Sequence, residues 1–136
     1  MAVKAQSVIF DQASRPFALY LHWPFCRAKC HYCDFNSHVT NDVDIKIFGD
    51  ALCAEMTHMA SLMPSRPPLT SLFFGGGTPS LMPPILVERL IRHAQDTFGF
   101  TDDIEITAEA NPTSVEAEAM LGFQKAGVNR VSMGVQ

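Results

Sequence analysis

The chain has 136 residues, enough for one small domain, and its 47% apolar and 18% charged content describe a globular, well-buried protein. A formal net charge of −4 offers no electrostatic footprint for nucleic acid, and no Lys/Arg run suggests an anionic membrane surface. The opening residues lack the apolar core of a signal peptide, and no run approaches the ~20 apolar residues of a membrane span, so a cytoplasmic protein is expected.

Residues 1–16 show no clear periodicity and end at Arg15-Pro16, so they read as an N-terminal arm, with 17–136 as the folded unit. Phe17 to His22 alternates as a first strand, with Phe17, Leu19 and Leu21 on one side and Ala18, Tyr20 and His22 on the other. Pro24 ends it, because proline cannot donate to a ladder. Cys26, Cys30 and Cys33 follow directly, three of the four cysteines within eight residues. A trio that tight leaves an odd thiol and too little loop for a disulfide framework. It suits a metal or a cluster. Clustered thiols without a secretion signal also fit a reducing compartment.

Two occupants are open at this point. A structural zinc ion would take His22, His31 or His38 as a fourth ligand, but zinc motifs usually bring a second Cys or His pair downstream, and none follows. An iron–sulfur cluster normally takes four thiolates. Three leave one iron open, and an open iron can chelate a substrate. Arg27 and Lys29 within the loop would favour thiolates and offset cluster charge.

Asn41 is expected to cap the first helix, whose stripe is Ile45, Phe48, Leu52, Met56, Met59 and Met63. Cys53 lies beside that stripe and reads as a buried, inert thiol. After a proline-rich break, Leu69 to Phe74 is a second strand, apolar enough to be buried on both faces. Gly75-Gly76-Gly77-Thr78-Pro79 lets a backbone approach a ligand closely, although taken alone it reads as a tight strand-to-helix turn. Pro83-Pro84 opens a second helix with the stripe Val87, Leu90, Ile91, Ala94 and Phe98. Ile104 to Ala110 is the third strand, with Glu105, Thr107 and Glu109 on one face. Thr113 and Glu116 form a capping box into a third helix striped by Val115, Ala119, Phe123 and Ala126. Arg130 to Gln136 is the fourth strand.

Strands alternating with helices imply α/β architecture, a parallel array of right-handed crossovers. Such arrays bind ligands outside the carboxyl ends of their strands. The cysteine loop, the glycine run, Glu109 and Gln136 all fall there. No helix follows the fourth strand to cover it, and an uncovered strand is an aggregation liability. The chain therefore reads as truncated, about half a barrel.

The Cys26-x3-Cys30-x-Tyr32-Cys33 spacing resembles the radical S-adenosylmethionine (SAM) superfamily. Leu19-Tyr-Leu-His-Trp-Pro-Phe-Cys26, Phe73-Phe-Gly-Gly-Gly-Thr-Pro-Ser80, Glu109-Ala-Asn-Pro112 and the run Ala126 to Gln136 resemble its oxygen-independent coproporphyrinogen III oxidase-like branch. The resemblance implies a partial parallel (β/α) barrel of the radical SAM type, with the first three β/α units and a fourth strand. It implies a [4Fe-4S] cluster held by Cys26, Cys30 and Cys33, with SAM at the open iron. Gly76, Gly77 and Thr78 would hold the amino-acid end of SAM and Tyr32 would border its adenine. Glu109, Gln136 and Tyr20 are further candidate SAM contacts. The oxidases of this branch carry another cysteine two positions after the third, where this chain has Phe35. Cys33-Asp34-Phe35-Asn36 instead resembles the HemW family of heme chaperones. That resemblance implies a heme carrier in porphyrin metabolism, with heme or porphyrinogen as ligand and an electron donor and a heme-acceptor protein as partners. A radical decarboxylating oxidase is the alternative, and a zinc-stabilised or inactive remnant a further one. No catalytic residue is assigned.

Overall fold

A computed structural model describes residues 15–63 and 65–135. In chain order its elements are β1 (Ala18–Trp23), β2 (Phe25–Cys26), β3 (His38–Val39), α1 (Ile45–Ser61), β4 (Leu69–Gly76), a 3₁₀ turn (Pro79–Leu81), α2 (Pro84–Phe98), β5 (Phe100–Ala110), α3 (Ser114–Ala126) and β6 (Arg130–Met133). The arm expected over 1–16 lies almost wholly outside the described residues.

The main sheet is parallel throughout and runs β1-β4-β5-β6. Each crossover steps to the next strand in the same direction, so right-handed connections put the three helices on one face. The register shows how the sequence achieves this. Leu21, Phe74, Ala108 and Val131 are partners across the sheet, as are Leu19, Leu72 and Ile106. These rows point at the helices, and Leu72, Phe74 and Ala108 are completely buried beneath Leu86, Val87, Leu90, Ala94 and Phe123. On the opposite face the partners are Tyr20, Phe73, Thr107 and Arg130. One pleat closer to the carboxyl ends, His22 pairs with Gly75, and Glu109 with Ser132. Apolar residues therefore serve the helices, and polar ones the face that no described helix covers.

Helix α2 buries all five residues of its expected stripe, and Pro84 occupies its first turn as expected. Helix α1 departs from expectation twice. Its cap is Asp44, not Asn41: the helix starts at Ile45, and the Asp44 carboxylate accepts the Ile47 N–H at 2.9 Å. Of its expected stripe, Met56 is buried and Ile45, Phe48, Leu52 and Met63 pack half-buried against the core, but Met59 is turned out to solvent, and the most deeply buried line is Gly49, Cys53, Met56 and Ala60. Small residues win because α1 must lie close to α2; a Cβ at Gly49 would stand 2.7 Å from Leu86 Cδ1. Cys53 is buried as expected, and burial pushes its thiol above the usual range.

Strand β5 begins at Phe100, four residues earlier than its alternation suggested, across a register shift between Leu69 and Ser71. Strand β6 ends at Met133, and Val131 and Met133 are exposed. Helix α3 starts immediately after Thr113, while the Glu116 side chain of the expected capping box, like Gln136, lies outside the described residues. Among the described residues, no helix is long and apolar enough to cross a membrane.

Arg66 ties together the ends of two helices. Its guanidinium donates to the carbonyls of Ala60 (3.2 Å) and Met63 (2.7 Å) at the end of α1 and of Thr97 (2.6 Å) at the end of α2, and lies 5.3 Å over the Phe98 ring. The Ala60 carbonyl also accepts the Met63 N–H, and the guanidinium adds donors where helix ends run short of them. Arg66→Met is expected to cost about 1.5–3 kcal/mol in urea unfolding. Arg66→Lys should not restore it, because a point charge lacks the planar fork that reaches both helix ends.

Candidate cysteine-loop site

The site is assembled where β1 and β4 run out. Their ladder ends at Trp23 and Gly76, but the hydrogen bonding continues past it. Gly77 N–H donates to the Trp23 carbonyl at 2.7 Å and Thr78 N–H to the Phe25 carbonyl at 3.0 Å. Those two bonds hold the first residues of the cysteine loop against the glycine turn. Cys26, on the two-residue strand β2, is thereby buried, and the Thr78 hydroxyl donates to its sulfur at 3.4 Å. A short parallel pairing of β2 with β3 returns the chain beside Cys26 after the loop. Cys30 and Cys33 occupy a turn closed by Cys33 N–H to the Cys30 carbonyl at 3.1 Å, with Cys30 exposed and Cys33 half-buried.

Two glycines are required by this geometry. A Cβ at Gly77 would meet the Cys26 sulfur and the Phe25 carbonyl oxygen, both at 2.8 Å. Gly76 has φ +121°, a conformation that side chains disfavour, and a Cβ there would meet the Trp23 carbonyl at 2.7 Å. From the other side, the Glu109 carboxylate accepts the Gly76 N–H at 3.1 Å.

All three cysteines are free, and all three line one recess of about 340 Å³ with Gly77, Thr78 and Asn111. Among the described residues, no three His, Cys, Asp or Glu side chains converge on a point where a single metal ion would sit. Three free thiols around one recess are a donor set of the kind that a polynuclear iron–sulfur cluster uses. A second cleft of about 180 Å³ adjoins it, bounded by Cys30, Tyr32, Cys33, Gly76, Gly77, Thr78 and Glu109. Seven of the ten residues singled out from the sequence, the Gly76–Thr78 turn among them, thus line this one cleft, and Cys26 lines the adjoining recess.

Tyr20 is not brought into either space. It stands one pleat lower, stacked on Phe73 with centroids 6.0 Å apart, and its phenol is pushed up by burial and by the Glu109 carboxylate. Tyr32 is exposed at the cleft rim, and its phenol is raised first by hydrogen bonding to Cys30. Sequence reasoning missed Asn111, Ser132 and Gly134, which also line the cleft. Ser132 and Gly134 share the parity of Gln136 along the run Arg130 to Gln136, so a signal was present. Asn111 stands in the Glu109–Pro112 run with no role of its own.

The geometry makes a prediction that needs no cofactor. In the metal-free wild type, Cys30 and Cys33 should react quickly with a thiol reagent, and buried Cys26 and Cys53 slowly. Gly77→Ala displaces Cys26 and should turn two fast thiols into three, with Cys53 unchanged.

Among known proteins, the family model of the Radical SAM superfamily matches residues 20–136. A heme chaperone HemW from Haemophilus influenzae is 42% identical over 127 residues, covering 89% of this chain and 33% of that protein. The mitochondrial radical S-adenosyl methionine domain-containing protein 1 of Bos taurus is 40% identical over 123 residues, covering 90% of this chain and 28% of that protein. A solved structure described as coproporphyrinogen III oxidase (HemN) from Escherichia coli, a radical SAM enzyme, matches with a TM-score of 0.79 at 36% identity, covering 90% of this chain and 28% of that one. The chain spans about a third or less of the length of these relatives.

Proposed function

Because the chain belongs to the radical SAM superfamily, we propose that its cysteine loop holds a [4Fe-4S] cluster, that the adjoining cleft takes SAM, and that the protein serves as a heme chaperone. Members of this family work with that cluster and with SAM. Cys26, Cys30 and Cys33 would be the ligands, three thiolates for four irons, and a cluster held there would supply the electron for reductive cleavage of SAM.

The chain's own residues position the substrate. Backbone groups of Gly76 and Gly77, with Thr78, receive the amino-acid end of SAM, since the missing side chains let a ligand approach the peptide plane. Tyr32 borders the adenine at the rim. Glu109, with one oxygen on Gly76, keeps the other for a hydroxyl or amine of SAM, and Asn111 and Ser132 supply further polar contacts. Gln136 is assigned to the same set, and Tyr20 to the floor below it.

Phe35 carries the choice of heme chaperone over oxidase. It is 68% exposed and lines the SAM cleft beside Cys33. At the position where the related oxidases carry a cysteine, this residue can neither ligate nor transfer a proton. The identity to HemW supports the same reading. The second reading, a decarboxylating oxidase, is favoured by the structural match to HemN. Either reading includes an electron donor; the chaperone reading adds a heme-acceptor protein and a cytoplasmic location.

The test is anaerobic reconstitution with iron and sulfide, followed by reduction. The expected EPR spectrum is a four-iron signal that changes when SAM is added and is lost in Cys30→Ala. Adding heme should shift its Soret band, and coproporphyrinogen III with SAM and reductant should release no CO2. CO2 release would establish the oxidase, and zinc without acid-labile sulfide would overturn both readings.

A further inference from the structure

Resting on the cluster-and-SAM reading, we propose that His22 is a positioning residue that fixes the cysteine loop against the glycine turn, and thereby sets where the cluster stands relative to SAM. None of the cluster or SAM roles proposed above uses it, yet three contacts converge on its ring.

The first contact reaches the loop. His22 Nε2 lies 3.3 Å from the carbonyl oxygen of Asn36, three residues beyond Cys33. A carbonyl only accepts, so Nε2 carries the hydrogen. The neutral ring then has Nδ1 as its acceptor, and the Tyr20 hydroxyl, 3.1 Å away, donates to it. This second contact holds the ring from β1, because Tyr20 is itself stacked on Phe73. The third contact is with the glycine turn. A Cβ on Gly76 would meet His22 Nδ1 and Cε1 at 2.8 Å, so the ring packs directly against that backbone.

These contacts join parts of the site that differ in origin. Glu109 holds the N–H of Gly76 on β4, and the His22 ring lies against the same glycine. Through Nε2 that ring then reaches the far end of the cysteine loop. The near end is already fixed at Cys26 by the Gly77 and Thr78 backbone bonds. The far end is also returned beside Cys26 by the pairing of β2 with β3. His22 adds an attachment that runs from the loop, at Asn36, to the glycine turn itself, and so fixes the loop's orientation relative to the turn that receives SAM.

The test compares four proteins reconstituted in parallel: wild type, His22→Ala, His22→Phe and His22→Gln. Gln offers an amide N–H for Asn36 and a carbonyl for Tyr20, whereas Phe keeps the ring against Gly76 but loses both bonds. The expected result is a folded protein with wild-type iron content in all four. Ala and Phe should bind SAM about tenfold more weakly, as two lost hydrogen bonds imply, with an altered SAM-dependent EPR signal that Gln restores. In the metal-free proteins, amide exchange over residues 27–37 should quicken in Ala and Phe while that of α1 stays unchanged. Wild-type SAM affinity and signal in Phe would overturn the proposal, as would failure of Gln to restore them. Should His22→Ala not fold, Phe decides. A wild type whose cluster ignores SAM would overturn the functional reading itself, and in that case loop exchange in the metal-free Phe variant still decides whether His22 anchors the loop.

Discussion

The close passage of the Gly77 backbone over Cys26 is the constraint from which the rest of the site follows. Two backbone bonds carry the β1–β4 ladder beyond its last strand residues, and they form only because position 77 has no side chain to strike the Cys26 sulfur. Burial of Cys26 is a consequence. So is the placement of Thr78, whose backbone and hydroxyl both face the cysteine loop. Backbone bonds place Cys26 more rigidly than side-chain contacts would, since each fixes two peptide units at once. The two more exposed cysteines inherit their position from this anchor and from the short pairing of β2 with β3.

The sheet divides its labour by face. Rows that point at the helices hold Leu, Phe, Ile and Ala, and their burial supplies the cohesion of the unit. Rows on the other face hold Tyr20, His22, Glu105, Thr107, Glu109, Arg130 and Ser132. Arg130 reaches both Glu105 and the Thr107 hydroxyl at 3.3 Å. With both charged partners about half exposed, that ion pair adds little to stability. Its effect is to order the lower part of a polar wall whose upper part meets the cysteine loop. One period-two alternation therefore provides both the core and the chemical surface.

Element order, the α2 stripe and the clustering of chemically suggestive stretches at the strand ends were legible because each is a local pattern: an apolar period, a proline break, a run of glycines. The α1 stripe was legible in the same way except at Met59. That the most deeply buried line of α1 runs through Gly49 and Cys53 depends on how closely Leu86 of another helix approaches Gly49, which no periodicity encodes. The choice of Asp44 over Asn41 as cap likewise depends on where β3 releases the chain, and β3 is too short to leave a signal. In the site, spacing and resemblance identified the cysteines, the glycines and Glu109. Ser132 and Gly134 carried only a parity signal, and they and Asn111 join the cysteines in one cleft only through the lateral order of strands. His22 was visible as a face residue, but its partner is a backbone carbonyl, which carries no sequence signature.

The pairing of sequence-distant strands also has a consequence in time. Cys26 and its cover at Thr78 are 52 residues apart. At chain-elongation rates of about 5–20 residues per second, the three thiols exist for roughly 3 to 10 seconds before the turn that shields one of them has been made. During that interval the nascent chain presents an open, unpaired thiol cluster to whatever oxidant or stray metal surrounds the ribosome. Over that interval the thiols stay reduced and unmetallated only in reducing, metal-buffered surroundings, and translational pausing between β1 and β4 would lengthen the exposure.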